Sequence, residues 1–219
     1  MKESIDIITA RLRTRQETRI AIQKDGRLSA IAWKLLAACM EAAGITMPKE
    51  ADPKERGRKL VISPKDAPNL KIILARGSDI PWWVSGGSAD FGIAGEDQAI
   101  EQGAEALIAG RLGEGRCTLV FSVRSDSPVS ALSDLNGKVI ATSFPNIVSG
   151  YCGKNGIKPK CIIKLAGSVE ATAMIGDADA IADLIETGET QKANFLRAFA
   201  IIRSFEAVLL SKNKSQQPS

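Results

Sequence analysis

Short apolar runs alternate with helix-like segments along most of this chain, about every 20 to 25 residues, and that rhythm leaves few folds open. RIAIQ (19–23), RKLVIS (58–63), KIILAR (71–76), ADFGIAG (89–95), GRCTLVFSVR (115–124), KVIATS (138–143), KCIIKLAG (160–167) and ADAIADLIE (178–186) read as strands. IDIITARLRTRQ (5–16) reads as a helix ahead of the first strand. SAIAWKLLAACMEAAG (29–44) carries apolar residues at helical spacing and stops on Gly44. Further helices are expected from Asp79-Ile80-Pro81 through WWVSGG, over SALSDLNG (130–137), FPNIVSGYCGKNG (144–156), SVEATAMIGDA (168–178) and TQKANFLRAF (190–199), with IIRSFEAVLLS (201–211) as one final strand. Such alternation predicts an α/β fold with largely parallel strands, covered by helices on both faces. The strands near 117–124 and 201–210 read as two crossings between lobes. Residues 1–116 with 201–219 would then form lobe I and residues 117–200 an inserted lobe II, with a cleft between them.

The chain has 219 residues and no histidine. A Ser-His-Asp triad, a Cys-His pair and an imidazole base are therefore excluded, and any catalysis rests on carboxylates, Lys or Arg, hydroxyls, backbone amides or a metal ion. Cys39, Cys117, Cys152 and Cys161 are widely spaced without a CxxC pair, so they read as small buried hydrophobes rather than zinc ligands. The net charge of +4 is mild and scattered, which does not call for a nucleic acid but suits small anions. No apolar run is long enough to span a bilayer and no signal-peptide core opens the chain, so the expectation is a cytoplasmic protein that binds neither nucleic acid nor membrane.

In α/β sheets ligands gather beyond the carboxyl ends of strands. Gln23-Lys24-Asp25-Gly26-Arg27 follows RIAI and opens a helix. Gly26 allows close backbone approach while Lys24 and Arg27 supply charge for a phosphate, though the same residues also read as an ordinary turn with solvated charges. ETGET, Glu186 to Thr190, follows the strand that carries Asp183. Thr187 and Thr190 offer hydroxyls, and Gly188 allows successive N–H groups to converge as an anion nest; a hydroxyl-rich N-cap with Glu189 in the first turn reads equally well. Arg58 and Arg76 stand in or beside strands, Glu170 follows Gly167-Ser168 as a capping acid or a ligand contact, and Trp82 and Trp83 read as packing residues.

Taken in order, RIAIQKDGRLS, RKLVIS, ARGSDIPWWVSGGSADFGIAGED, GRCTLVFSV, LNGKVIATSFPNI, KLAGSVEATAMIGDADAIADLIETGETQKAN and the closing strand resemble the catalytic core of the ATP phosphoribosyltransferase family over about residues 19 to 210. The resemblance implies a two-lobed, type II periplasmic-binding-protein-like fold. It implies an enzyme that joins N1 of ATP to C1 of phosphoribosyl pyrophosphate (PRPP) and releases pyrophosphate, the first step of histidine biosynthesis, with Mg²⁺ as cofactor. It further implies that Glu186, Thr187, Gly188, Glu189 and Thr190 hold the PRPP phosphate and that Asp183 meets the ribose hydroxyls. Arg27 and Arg58 look like the catalytic cations, and Lys24, Arg76 and Glu170 like ATP-binding residues. A homodimer is expected by the same resemblance. Long forms of the family add a regulatory domain, whereas short forms depend on a subunit resembling histidyl-tRNA synthetase. Three departures stand out: Glu189 adds charge beside the phosphate, Gln191 replaces an apolar anchor and Phe195 fills a glycine position. From a different class, a non-catalytic two-lobed module that binds a small anion, or a weakened subunit of a hetero-oligomer, would share the fold.

Overall fold

The computed structural model describes residues 1–186 and 189–212, the side chain of Thr190 excepted. The chain divides into two units: Met1–Gly115 together with the stretch that begins at Glu206, and Arg116–Phe205. Each is built on its own sheet. The return to the first unit falls at Glu206 rather than at residue 201, because the strand that ends at Phe205 pairs throughout with the strand that begins at Cys117.

In the first unit, helix α1 (Lys2–Arg13) leads through β1 (Thr18–Gln23) to α2 (Ser29–Ala42). Gly44 stops α2 as its sequence predicts, adopting φ +69° while the Ile45 N–H closes back on the Met40 carbonyl at 2.8 Å. The short helix α3 (Pro53–Arg56) is capped by Asp52, which accepts from the Lys54 N–H. Strands β2 (Val61–Ile62) and β3 (Leu70–Ala75), helix α4 (Ile80–Ser85), β4 (Phe91–Gly95), α5 (Glu96–Glu101) and β5 (Ile108–Arg111) follow. The closing strand, β11 (Ala207–Ser211), returns between β4 and β5, giving the order β2-β3-β1-β4-β11-β5.

Only the centre of this sheet is parallel. The β1 strand runs parallel to β3 and β4, whereas β2, β11 and β5 pair antiparallel. Alternation along the strands decides which layer each residue enters. Ile20, Ile22, Ile93 and Leu209 join α1 and α2 in one core, while Ala21, Ala94, Val208 and Leu210 join Ile80 and Val84 of α4 in another.

The second unit contains β6 (Cys117–Arg124), β7 (Val139–Thr142), α6 (Pro145–Lys154), β8 (Cys161–Lys164), α7 (Val169–Ile175), β9 (Ala180–Ile185), α8 (Glu189–Ala193) and β10 (Leu196–Phe205). Its sheet order is β10-β6-β9-β7-β8, parallel among β9, β7 and β8 and antiparallel around β6. Ala141, Ile181 and Leu196 pack with Val169 and Ala173 of α7. The ring of Phe121 meets Tyr151 of α6 and stacks on Phe199 of β10.

Five expectations are corrected. The strands are not largely parallel, since five of the nine strand pairs among the described residues run antiparallel, and the helix expected over 130–137 is a single short 3-10 helix, Leu132–Leu135. The helix expected over 190–199 ends at Ala193, and the chain enters β10 at Leu196. The single strand expected over 201–211 is two strands in different sheets, split at Glu206. Cys161 is exposed, unlike the other three cysteines, because β8 lies at a sheet edge. Among the described residues no helix is long and apolar enough to cross a membrane.

Candidate active site

In the first unit the parallel strands β1 and β3 end side by side, with Gln23 opposite Ala75. The Lys24 N–H extends that pairing by donating to the Ala75 carbonyl at 2.9 Å. The chain then turns through Gly26 at φ +95°, where an added Cβ would meet Gln23 Nε2 at 2.7 Å, so both conformation and space require glycine. Beyond the turn, Ser29 Oγ donates to the Lys24 carbonyl at 3.0 Å. The result is a cavity of about 520 Å³ at the strand ends, lined by Lys24, Asp25, Leu60, Arg76, Asp79 and Trp83, among others. Lys24 and Arg76, assigned to one ligand from sequence, thus line one cavity.

Arg27 lies beyond Gly26 and is itself partly buried. Its Nη1 donates to the Gly115 carbonyl, and its Nη2 lies 3.5 Å from Asp97 Oδ1. Asp97 is 2% exposed, and burial raises its carboxyl above the usual range while Arg27 pulls it back down. Gly95 makes room for this pair, since a Cβ there would lie 2.1 Å from Asp97 Oδ1. Arg58 stands between α3 and β2, exposed, without an ion pair or side-chain hydrogen bond among the described residues. Two residues earlier, Arg56 is 3% exposed. Its Nε, Nη1 and Nη2 donate to the carbonyls of Glu50, Lys24 and Ala51 at 3.0, 2.8 and 2.9 Å. Sequence reasoning missed Arg56, and the only available signal was its place among the four basic residues of KERGRK (54–59).

In the second unit, Asp183 sits on β9 two residues past Ile181 and so faces the same side of the sheet, toward α7. Burial pushes its carboxyl up to about 6; the Leu184 N–H, 2.8 Å from Oδ1, pulls it down, and Glu170 in the first turn of α7 pushes it up again. Glu170 is thus near enough for Asp183 to feel its charge. Glu186 and Glu189 are exposed on either side of Thr187 and Gly188, which lie outside the described residues, as does the side chain of Thr190.

The short helix α8 is pinned to the sheet by Gln191, whose Nε2 donates to Oγ of the fully buried Ser122 at 2.7 Å. A polar bond thus does the anchoring expected of an apolar residue. Phe195 then turns the chain into β10 at φ +50°, with its carbonyl held by both the N–H and Oγ of Ser125 at 2.9 Å. That left-handed backbone explains why the position suits glycine.

Comparison with known proteins places the chain in a family. Residues 76–219 match the protein-family model described as ATP phosphoribosyltransferase. An ATP phosphoribosyltransferase of Parabacteroides distasonis is 36% identical over 196 residues, covering 89% of this chain and 65% of that protein. The chain spans about 65% of the length of the curated relatives it matches. Among solved structures, the ATP phosphoribosyl transferase (HisG:HisZ) complex from Thermotoga maritima contains a chain 25% identical, with a TM-score of 0.69 over 89% of this chain and 87% of that one. The periplasmic aliphatic sulphonate binding protein SsuA from Escherichia coli gives a TM-score of 0.54 at 17% identity, over 90% of this chain and 65% of that one, a likeness of fold alone. The fold is the two-unit α/β architecture of type II periplasmic binding proteins.

Proposed function

Because the chain belongs to the ATP phosphoribosyltransferase family, we propose that it transfers the phosphoribosyl group of PRPP to N1 of ATP, a step of histidine biosynthesis in the cytoplasm. The observation that carries this reading is the gathering of Lys24 and Arg76 around one cavity at the carboxyl ends of parallel strands, in a chain of this family. In the proposed reaction a nitrogen–carbon bond forms between adenine N1 and ribose C1 as the bond from C1 to pyrophosphate breaks, its electron pair leaving on the pyrophosphate oxygen. The nucleophile is a ring nitrogen and the leaving group a polyanion. Alignment and cationic charge therefore serve where a strong base is not needed, which suits a chain without histidine.

Lys24 and Arg76 would hold the ATP phosphates, with Arg27 and Arg58 taking up the charge that develops on pyrophosphate. Asp183, ionised above its raised pKa, would accept hydrogen bonds from the ribose hydroxyls, with Glu170 beside it, and residues 186–190 would cradle the 5′-phosphate. Among the described residues no cluster of three Asp, Glu or Cys side chains forms a cage for a metal ion. Asp183 or Glu170 would supply a carboxylate ligand to Mg²⁺, which takes most of its ligands from phosphates and water and one or two from carboxylates. When bound, the ion would supply neutralising charge to the phosphates. By the likeness to a chain of the HisG:HisZ complex, we extend the proposal to a subunit that works with a second, regulatory chain; self-association and a partner resembling histidyl-tRNA synthetase are proposed from the family resemblance alone.

The test is to mix the protein with ATP, PRPP and Mg²⁺ and follow the absorbance of phosphoribosyl-ATP, with and without such a partner. Product that depends on both substrates is expected. Tight binding of both ligands with no product in either condition would instead make the chain a binding module.

A further inference from the structure

Arg56 is a buried arginine whose charge is matched by no carboxylate among the described residues, an arrangement that costs free energy unless something offsets it. The offset is specific. Three of its five N–H donors go to the carbonyls of Glu50, Ala51 and Lys24, and the guanidinium carbon lies 5.3 Å from the ring centroid of Trp33 on α2. Methionine or leucine would fill the same space without a charge to solvate.

What the arginine does that they cannot is tie the turn at residues 49–51 to the loop after β1. The Lys24 carbonyl accepts from both Ser29 Oγ and Arg56 Nη1, so both of its lone pairs are engaged and the peptide linking residues 24 and 25 is clamped. A peptide's C=O and N–H point in opposite directions. The clamp therefore turns the Asp25 N–H away from Arg56, and neither Asp25 nor Gly26 donates a backbone hydrogen bond among the described residues. On the other side, Arg56 fixes the start of a two-residue path through Gly57, at φ +58°, to Arg58.

We propose that Arg56 is a positioning residue that sets the orientation of the Lys24 loop for ATP phosphates, acting through the Lys24 carbonyl rather than by touching substrate. This rests on the reading of the Lys24 and Arg76 cavity as an ATP site. Two variants separate positioning from simple stability. Arg56→Met keeps the stem over Trp33 and loses every donor, whereas Arg56→Lys keeps the charge but cannot reach all three carbonyls.

Measured by calorimetry at a temperature where each variant is fully folded by circular dichroism, Arg56→Met should bind ATP at least ten times more weakly. Arg56→Lys should fall between it and the parent, and the KM for PRPP should stay within twofold. Combined with Lys24→Met, Arg56→Met should weaken ATP binding no further than Lys24→Met does alone. Parental ATP affinity in folded Arg56→Met, or additive effects in the double variant, overturns the positioning role while leaving the site intact. Unchanged ATP affinity in Lys24→Met alone overturns the ATP-site reading, and this assignment with it.

Discussion

Replacing Asp183 by asparagine should make the protein more stable at neutral pH while harming its handling of PRPP. The carboxyl of Asp183 is held at about 6, against 3.8 for an unperturbed aspartate, chiefly because it is buried. That gap of about two units corresponds to about 3 kcal/mol, at about 1.4 kcal/mol per unit. Between about pH 4 and 6 the folded state keeps a proton that the unfolded chain has released, so stability falls as pH rises through this window, and above it the full cost of a buried charge is present. Asparagine carries no charge and its side-chain oxygen can still accept from the Leu184 N–H. Thermal unfolding of the two proteins at half-unit steps from pH 4 to 8 should show the Asn variant melting roughly 5–10 °C higher at pH 8. The difference should shrink toward zero near pH 4. In parallel the parent's KM for PRPP should rise as pH drops below 6, because a neutral carboxyl accepts ribose hydroxyls poorly, while that of Asp183→Asn should be high and flat. A melting difference that stays constant from pH 4 to 8 would refute the argument, since it would mean the carboxyl does not titrate between those limits.

Arg27→Ala should lower turnover at least 100-fold and also destabilise the fold by about 1–3 kcal/mol, since it strips the buried Asp97 of its guanidinium partner; adding Asp97→Asn should restore the denaturation midpoint but not the turnover. Phe195→Gly should raise stability by about 0.5–1 kcal/mol in urea unfolding, because relief of left-handed strain outweighs the entropy of glycine and the side chain, 72% exposed, gives up little burial.

Where the sequence could be read and where it could not follows from the range of the forces involved. Helix α2 and its stop at Gly44 depend on neighbours within a turn or two, so apolar spacing and a glycine sufficed. The same holds for the Gly26 turn and for the place of Lys24 and Arg76 at strand ends. The end of α8 was hidden because the position that reverses the backbone carries Phe195 instead of glycine, so TQKANFLRAF looked continuously helical. The antiparallel edges were hidden because β11 and β10 find their partners far away in the chain. Arg56 and Arg58 look alike as letters. Only the carbonyls of Lys24, Glu50 and Ala51, brought in from two places in the backbone, decide that one arginine is buried and the other exposed.

The second unit starts and finishes on paired neighbours, with Cys117 opposite Phe205, while in the first unit the Ala207 N–H reaches the Glu114 carbonyl at 2.9 Å. Topologically it is therefore a cassette: a contiguous reading frame whose two ends meet, held between two residues that a short turn could join. Such a joint lets one half be replaced, labelled or diversified without rewriting the other. A protein with this connectivity can change its two halves on separate evolutionary clocks.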